Sequence, residues 1–479
     1  MHILRPRVHR YAPPLHHAFG HRNSNFIGFR FNSPGPVVCC RGLELSVPYH
    51  DGGYANAAFP VDWNKLANLA EEDVKCFDVA AFGNLCVDIV LSVPELPPPC
   101  REARLAYRKS LASQPPDKRF WEAGGNCNMT IAASRLGLQC TTIGHVGDEI
   151  YGDFLLEVLR EEGIKMSRMV GADAGHAAAG DGATPSLYET LLCWVLVDPM
   201  QRHGFCSVAD FTKEPAFSWI RTLTDEMKCA IKQSKIVFFN GFGFDELPPS
   251  VLVSALDYAK EVNTLVFFDP GPRGKSLSMG TAEEQRALDH FSKMSDVLLL
   301  TSEEAESLTG IAHPILAGKE LLRRGVRTKW VIVKMGDRGS ILIDDTSVSC
   351  VPSFAVSVAD TVGCGDSFVA AVAYGYLHEM PLLHTLAVAN AVGAATAMGC
   401  GAGRNVASLD NVIRILRASN FRQDDDFWIR LFEPIDAKET IYLAGSSVND
   451  CGGLFHRVPM KNVVDDLLPK LELIFSHSN

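Results

Sequence analysis

From Lys235 onward, short unbroken apolar runs alternate with longer stretches of helical periodicity. Ile236–Gly241, Leu265–Pro270, Asp296–Leu300 and Trp330–Lys334 read as strands buried on both sides. Residues 249–260, 282–294, 303–309 and 315–324 read as the helices between them. This alternation predicts a parallel sheet covered by helices on both faces. Upstream, Phe77–Phe82 reads as a buried strand ending at Gly83, with a second strand at Ile89–Val93. Leu191–Val197 reads as a strand that His203–Ser207 returns. Helices are expected at 129–136, opened by Asn128 and closed by Gly137, and at 152–162, stopped by Gly163. The proline- and charge-rich segment 94–119 predicts an exposed loop or part of a small accessory sheet, and the Ala/Gly-rich residues 171–186 a mobile stretch. Helices at 367–378, 381–398 and 408–418 follow. Residues 421–479, with a weak strand at Thr440–Leu443 and an amphipathic helix near 461–475, read as an appended element.

Ligands of such sheets gather at the carboxyl ends of the strands. Asn240, Asp269, Thr301 and Lys334 all lie at such ends, as does Asp360. Asp360 opens the sequence Asp-Thr-Val-Gly-Cys-Gly-Asp, a turn on Gly363 and Gly365 that feeds a helix. Free N–H groups and the helix dipole suit this place to an anion, most often a phosphate. Asp366 puts a carboxylate where the anion would sit. It reads either as a base that takes a proton from a hydroxyl while backbone amides hold phosphoryl charge, or as a helix cap, and the loop alone leaves both open. A second glycine pair, Gly124-Gly125, lets the backbone approach a ligand closely ahead of Asn126-Cys127-Asn128.

Composition narrows the class. The 479 residues carry a net charge of −11, which disfavours a nucleic-acid-binding surface, and no apolar run is long enough to span a bilayer. Fourteen cysteines without a repeated CxxC spacing predict reduced thiols in an intracellular compartment. Residues 1–50 differ: they hold no acid before Glu44, and Arg5, Arg7, Arg10, Arg22, Arg30 and Arg41 run through them. This predicts an organellar transit peptide, with Val37–Arg41 resembling a plastid processing site and a mitochondrial address as the alternative.

Several motifs then fall into one known order. The chain from 77 to about 420 resembles the PfkB, or ribokinase-like, family of carbohydrate and nucleoside kinases. Asp360–Asp366 resembles that family's second signature, with Cys364 where a small residue such as alanine is usual. Asn128-Met129-Thr130, Gly137 and Gly147 keep the spacing of its first, although the preceding Gly-Gly-Asn-Cys is one residue shorter than the common form. The resemblance implies a three-layer α/β sandwich with a mostly parallel central sheet and a small β lid, from about 88–122 and 188–210. It implies Asp366 as catalytic base, with Gly363, Cys364 and Gly365 as anion hole. Asp88, Gly124, Gly125 and Asn128 would bind the acceptor hydroxyls. Thr301, Lys334, Gly336, Gly339 and Asn390 would serve ATP, and Glu304 would act on Mg2+ through water. Thr301 stands where the family's Asn-x-x-Glu motif has Asn, Gly271 replaces the Asn of Asp-x-Asn-x-Arg, and Lys334 replaces the Thr of Thr-x-Gly-x-x-Gly. K+ is a candidate monovalent cation and a homodimer a candidate assembly.

The expected acceptor is a primary hydroxyl of a nucleoside's ribose, with Trp194, His203 and Phe205 of the lid as candidates to meet a base. A free sugar of the ribokinase or fructokinase type is the alternative. A catalytically weak organellar assembly protein is a further reading, opposed by the intact Gly-x-Gly-Asp loop. Cys364, at a helix N-terminus where thiol pKa values fall, raises the expectation of redox control.

Overall fold

The computed structural model describes residues 75–97, 100–113, 116–169, 189–200, 202–212, 214–445 and 455–478. The transit segment 1–50 and the stretch 171–186 lie outside them. The strands are β1 (Phe77–Phe82), β2 (Leu85–Ser92), β3 (Trp121–Gly125), β4 (Cys140–Gly144), β5 (Lys165–Arg168), β6 (Leu191–Val197), β7 (His203–Ser207), β8 (Ser234–Asn240), β9 (Leu265–Asp269), β10 (Val297–Thr301), β11 (Trp330–Lys334), β12 (Ser340–Ile343), β13 (Val348–Val351), β14 (Ile441–Gly445) and β15 (His456–Pro459). Eleven form one sheet in the order β15-β14-β13-β12-β11-β10-β9-β8-β1-β4-β5, and β3-β2-β6-β7 form a second, smaller sheet. In the large sheet only β12 runs against its neighbours.

Alternate residues of the central strands feed two separate apolar cores, one on each face. Val79, Ile236, Phe238, Val297 and Leu299 belong to one, and Ala80, Val237, Phe239, Leu298 and Leu300 to the other. That division requires helices on both sides, giving three layers. The first core is closed by the helices Asn126–Arg135, Cys364–Leu377, Leu382–Ala397 and Leu409–Ala418. The second is closed by Asp225–Lys232, Pro249–Glu261, Ala282–Met294 and Pro314–Arg324.

The expected layering is present, with local differences. Part of 94–119 is a helix, Arg101–Ala112, whose apolar Tyr107 and Leu111 pack on the core while Arg104 turns to the small sheet, donating to Phe205 O and pairing with Asp210. Gly124-Gly125 ends β3, and the helix after it starts at Asn126, so Asn128 lies in its first turn. β5, the β12–β13 hairpin and the helix Asp225–Lys232 have no counterpart in the sequence reading. Segment 421–478 docks on the core: β14 pairs parallel with β13, and Met460, Val463, Val464, Leu467 and Leu471 of the last helix are buried in the first core.

Candidate active site

The small sheet carries residues expected to bind the acceptor. Register pairs Asp88 with Glu122 on one side and Cys193 on the other, and Cys193 with Ser207. Strand alternation therefore puts Asp88, Cys193, Phe205 and Ser207 on one face, and Ile89, Trp194 and Cys206 on the other. The backbone of Gly124 passes so close to Asp88 that a Cβ there would lie 2.3 Å from the carboxylate carbon. Gly124→Ala must therefore displace Asp88. The acceptor KM is expected to rise roughly 10- to 100-fold, the loss of one hydrogen bond to a charged group, with the ATP KM unchanged in the same steady-state assay.

Asp366 sits in the first turn of Cys364–Leu377, whose N-cap Gly363 holds φ 74° and offers no side chain to the exposed amides. No side chain caps this helix. The Asp366 carboxylate turns to Asn128 instead, whose Nδ2 donates to Oδ2 at 3.0 Å. The helix-cap reading therefore gives way to a carboxylate directed at Asn128. Asn128 is fixed in turn by Gly403, whose N donates to its Oδ1 at 2.7 Å. Of the amides expected to form an anion hole, Cys364 N donates back to Thr361 O at 3.3 Å.

Desolvation, chiefly, pushes the Asp366 carboxyl up to about 6; the Asn128 amide pulls it down, the Asp269 charge raises it and Lys334 lowers it. Asp88 rises to about 7, mainly by burial, with the thiol of Cys86 opposing and the charges of Asp366 and Glu122 adding. A base must be ionised to act, and Asp366 is ionised above its own value. At saturating acceptor, kcat is therefore expected to fall on the acid side with an apparent pKa near 6, not near the ordinary carboxyl value of 3.8, while acceptor kcat/KM falls from nearer 7, where Asp88 loses its charge. A pH–rate profile at saturating ATP checks this.

Residues expected to serve the nucleotide lie in a charge cluster at adjoining strand ends. Lys334 Nζ lies 2.5 Å from Asp269 Oδ2 and 3.6 Å from where a Gly365 Cβ would be. Burial lowers the Lys334 ammonium, but the carboxylates of Asp269, Glu304 and Asp366 outweigh it and hold it above its usual value. Glu304 is raised by desolvation and the Asp269 charge, with Lys334 opposing. Thr301 Oγ1 accepts from Glu304 N at 3.2 Å and Glu304 Oε2 accepts from Thr301 N at 2.7 Å, a capping box for the Ser302–Thr309 helix. Thr301 thus aims Glu304, a role distinct from the phosphate contact expected of it. Gly336 and Gly339 form the turn between β11 and β12. Asn390 donates to Val351 O and Pro352 O and accepts from Ser340 Oγ, so its amide ties the β12–β13 hairpin to a helix. Its free capacity for an adenine is correspondingly small.

Three lid and loop expectations change. Burial, with the charges of Asp360 and Asp366, pushes the Cys364 thiol up to about 12, overriding the helix dipole and removing the basis for thiolate-driven redox control. Trp194 is buried on the face opposite Asp88, and His203 bonds Asp360, so neither is available to a base. Phe205, 48% exposed and on the Asp88 face, remains available. The sequence reading missed Asn126, which accepts from Asn240 and donates to Phe82 O and Gly83 O where β1 crosses into the small sheet. Asn240 was legible as a strand end; the inward turn of Asn126 was not, because it rests on a contact 114 residues distant.

Residues 78–179 and 189–407 match the pfkB family carbohydrate kinase pattern, and the chain belongs to that family. It is a phosphotransferase with an alcohol group as acceptor. The chain is 26% identical over 323 residues to a 5-dehydro-2-deoxygluconokinase of Geobacillus kaustophilus, covering 66% of this chain and 87% of that protein. It is 26% identical over 349 residues to fructokinase-1 of Zea mays, covering 71% and 97%. In fold it resembles ribokinase from Thermotoga maritima, with a TM-score of 0.51, 20% identity and coverage of 71% and 99%. It also resembles a candidate ribokinase II from E. coli solved with ATP and Mg2+, with a TM-score of 0.55, 19% identity and the same coverage.

Proposed function

We propose that the protein transfers the γ-phosphoryl group of ATP to a primary hydroxyl of a free sugar or of a nucleoside's ribose. One observation carries this reading. Asp366 accepts from Asn128 on the acceptor side, and on the other Lys334 Nζ lies 3.6 Å from where a Cβ of the adjacent Gly365 would be. In the proposed step the acceptor oxygen forms a bond to the γ-phosphorus while Asp366 takes its proton. The bond from phosphorus to the bridging oxygen of ADP breaks. The amides following Gly363, with Lys334, face the charge on the transferring group.

The donor set fits Mg2+: Asp269 and Glu304 are hard oxygen ligands beside the phosphate site and would hold it, Glu304 through water. The ion would neutralise phosphate charge. Closure of the small sheet over the acceptor would keep water from the γ-phosphate.

A nucleoside acceptor is favoured by Phe205, exposed on the acceptor face and able to stack on a base, and by the shortened Gly124–Asn128 segment. The fructokinase and deoxygluconokinase relatives favour a free sugar. A panel of fructose, ribose, inosine, guanosine, adenosine and uridine with ATP, Mg2+ and K+ separates them. Fructose turnover far above every nucleoside ends the nucleoside reading; inosine or guanosine above both sugars ends the free-sugar reading. For residues 1–50 we propose a plastid address, supported by their acid-free basic composition. A fluorescent fusion of these residues that stays outside plastids contradicts it.

A further inference from the structure

The lid makes a polar side-chain contact with the glycine loop at His203. β7 is an end strand of the small sheet, pairing only with β6 among the described strands. His203 begins it. Its Nε2 bonds Oδ1 of Asp360, the first residue of the glycine loop, and the Asp360 side chain is 1% exposed. Asp360 has two further donors, both from backbone: Val362 N to Oδ1 at 2.9 Å and Gly401 N to Oδ2 at 2.7 Å. The loop containing Gly401 also carries Gly403, which holds Asn128, which in turn holds Asp366. A small apolar cluster of Val195 from β6, Val362 from the glycine loop and Ala402 lies along the same seam.

We propose that His203 is a positioning residue: it signals closure of the small sheet to the catalytic carboxylate through Asp360, the 401–403 loop and Asn128. This rests on the assignment of Asp366 as base. The physical argument is one of satisfaction. A carboxylate as buried as Asp360 needs its hydrogen bonds, and His203 is the only side-chain donor recorded for it among the described residues. With β7 lifted, Asp360 keeps only backbone partners. The loops that those partners belong to then lose the anchor that sets Asn128 against Asp366. With β7 down, all three donors meet one carboxylate and the route from lid to base is continuous. His203 does not touch the reacting atoms in this arrangement. It fixes groups that do.

The test compares parent, His203→Ala and His203→Gln, the last keeping a side-chain N–H donor. Hydrogen exchange of the full chain without ligand reads the amides of 358–364 and 399–405. Steady-state kinetics read kcat and KM on whichever of fructose and inosine the parent turns over. Expected for His203→Ala is faster exchange in both segments and a kcat lower by roughly 10- to 100-fold, the loss of one bond to a charged group. The ATP KM should stay within about twofold, and His203→Gln should restore most of kcat and of the protection. Unchanged exchange at 358–364 in His203→Ala overturns the proposal, whether or not either acceptor is used. So does an unchanged kcat, or a loss that Gln leaves unrepaired although that variant melts like the parent. Altered exchange in an Ala variant whose parent phosphorylates neither compound upholds the coupling and counts instead against the kinase reading. Should His203→Ala not fold, the same two readouts on His203→Asn, whose shorter amide cannot span to Asp360, decide the matter.

Discussion

Asp366→Asn is expected to lower kcat by about 10²- to 10⁴-fold, the usual share of a general base, with little change in the ATP KM. The substitution is close to isosteric, and the Asn128 Nδ2 donor finds an amide oxygen where it found a carboxylate oxygen. The fold should not suffer. The folded-state value of Asp366, about 6, lies above its ordinary 3.8, so the ionised form is the one the fold disfavours at neutral pH. Removing that charge leaves the melting temperature equal or higher while turnover collapses. A parallel drop in both would point to a structural role for the carboxylate. Steady-state kinetics and a thermal melt on the same preparation separate the two.

Lys334→Met is expected to lower kcat/KM for ATP roughly 10- to 100-fold, and unlike the change at Asp366 it should also lower the melting temperature. Lys334 is the cation facing Asp269, Glu304 and Asp366 together, and its side chain is only 14% exposed. Without it, Asp269 loses its partner at 2.5 Å and Glu304 loses the one charge opposing its upward shift. Lys334→Arg keeps the charge and should recover stability before it recovers activity, because the planar guanidinium cannot reproduce a point contact. An ATP KM unchanged in Lys334→Met would remove Lys334 from the phosphate site.

The layered fold was legible because its signal is local and repeated. Ile236–Asn240, Leu265–Asp269 and Trp330–Lys334 are short apolar runs that no other environment explains as well as a doubly covered sheet. The helix Arg101–Ala112 was hidden by its composition: it has no buried residue, so its apolar stripe is thin. The β12–β13 hairpin was hidden for the opposite reason, as two four-residue strands within a stretch that begins as a loop. Site residues divided in the same way. Lys334 and Asp366 were singled out by a strand end and a glycine turn, Asp88 and Asn128 by the family resemblance, and the structure brings Asn128 to Asp366 with Asp88 and Lys334 nearby. The roles of Asn390 and Thr301 were not visible, since an amide committed to Val351 and Pro352 or a hydroxyl committed to a capping box looks the same in sequence as a free one. His203 and Asp360 were each singled out, but for separate tasks. Their pairing crosses 157 residues and joins the small sheet to the glycine loop.

The central claim is that Asp366 takes the proton of an acceptor hydroxyl as that oxygen receives the γ-phosphoryl group of ATP, between the Asp88 and Lys334 halves of the site. Its most direct test is ADP formation by the full chain with ATP and Mg2+, measured with and without the pooled sugars and nucleosides. Mass spectrometry of the pool should accompany it. ADP should form only when the pool is present, and one member should gain the mass of a phosphoryl group in equal amount. ADP formed at the same rate without the pool, or no ADP with any member of it, contradicts the account.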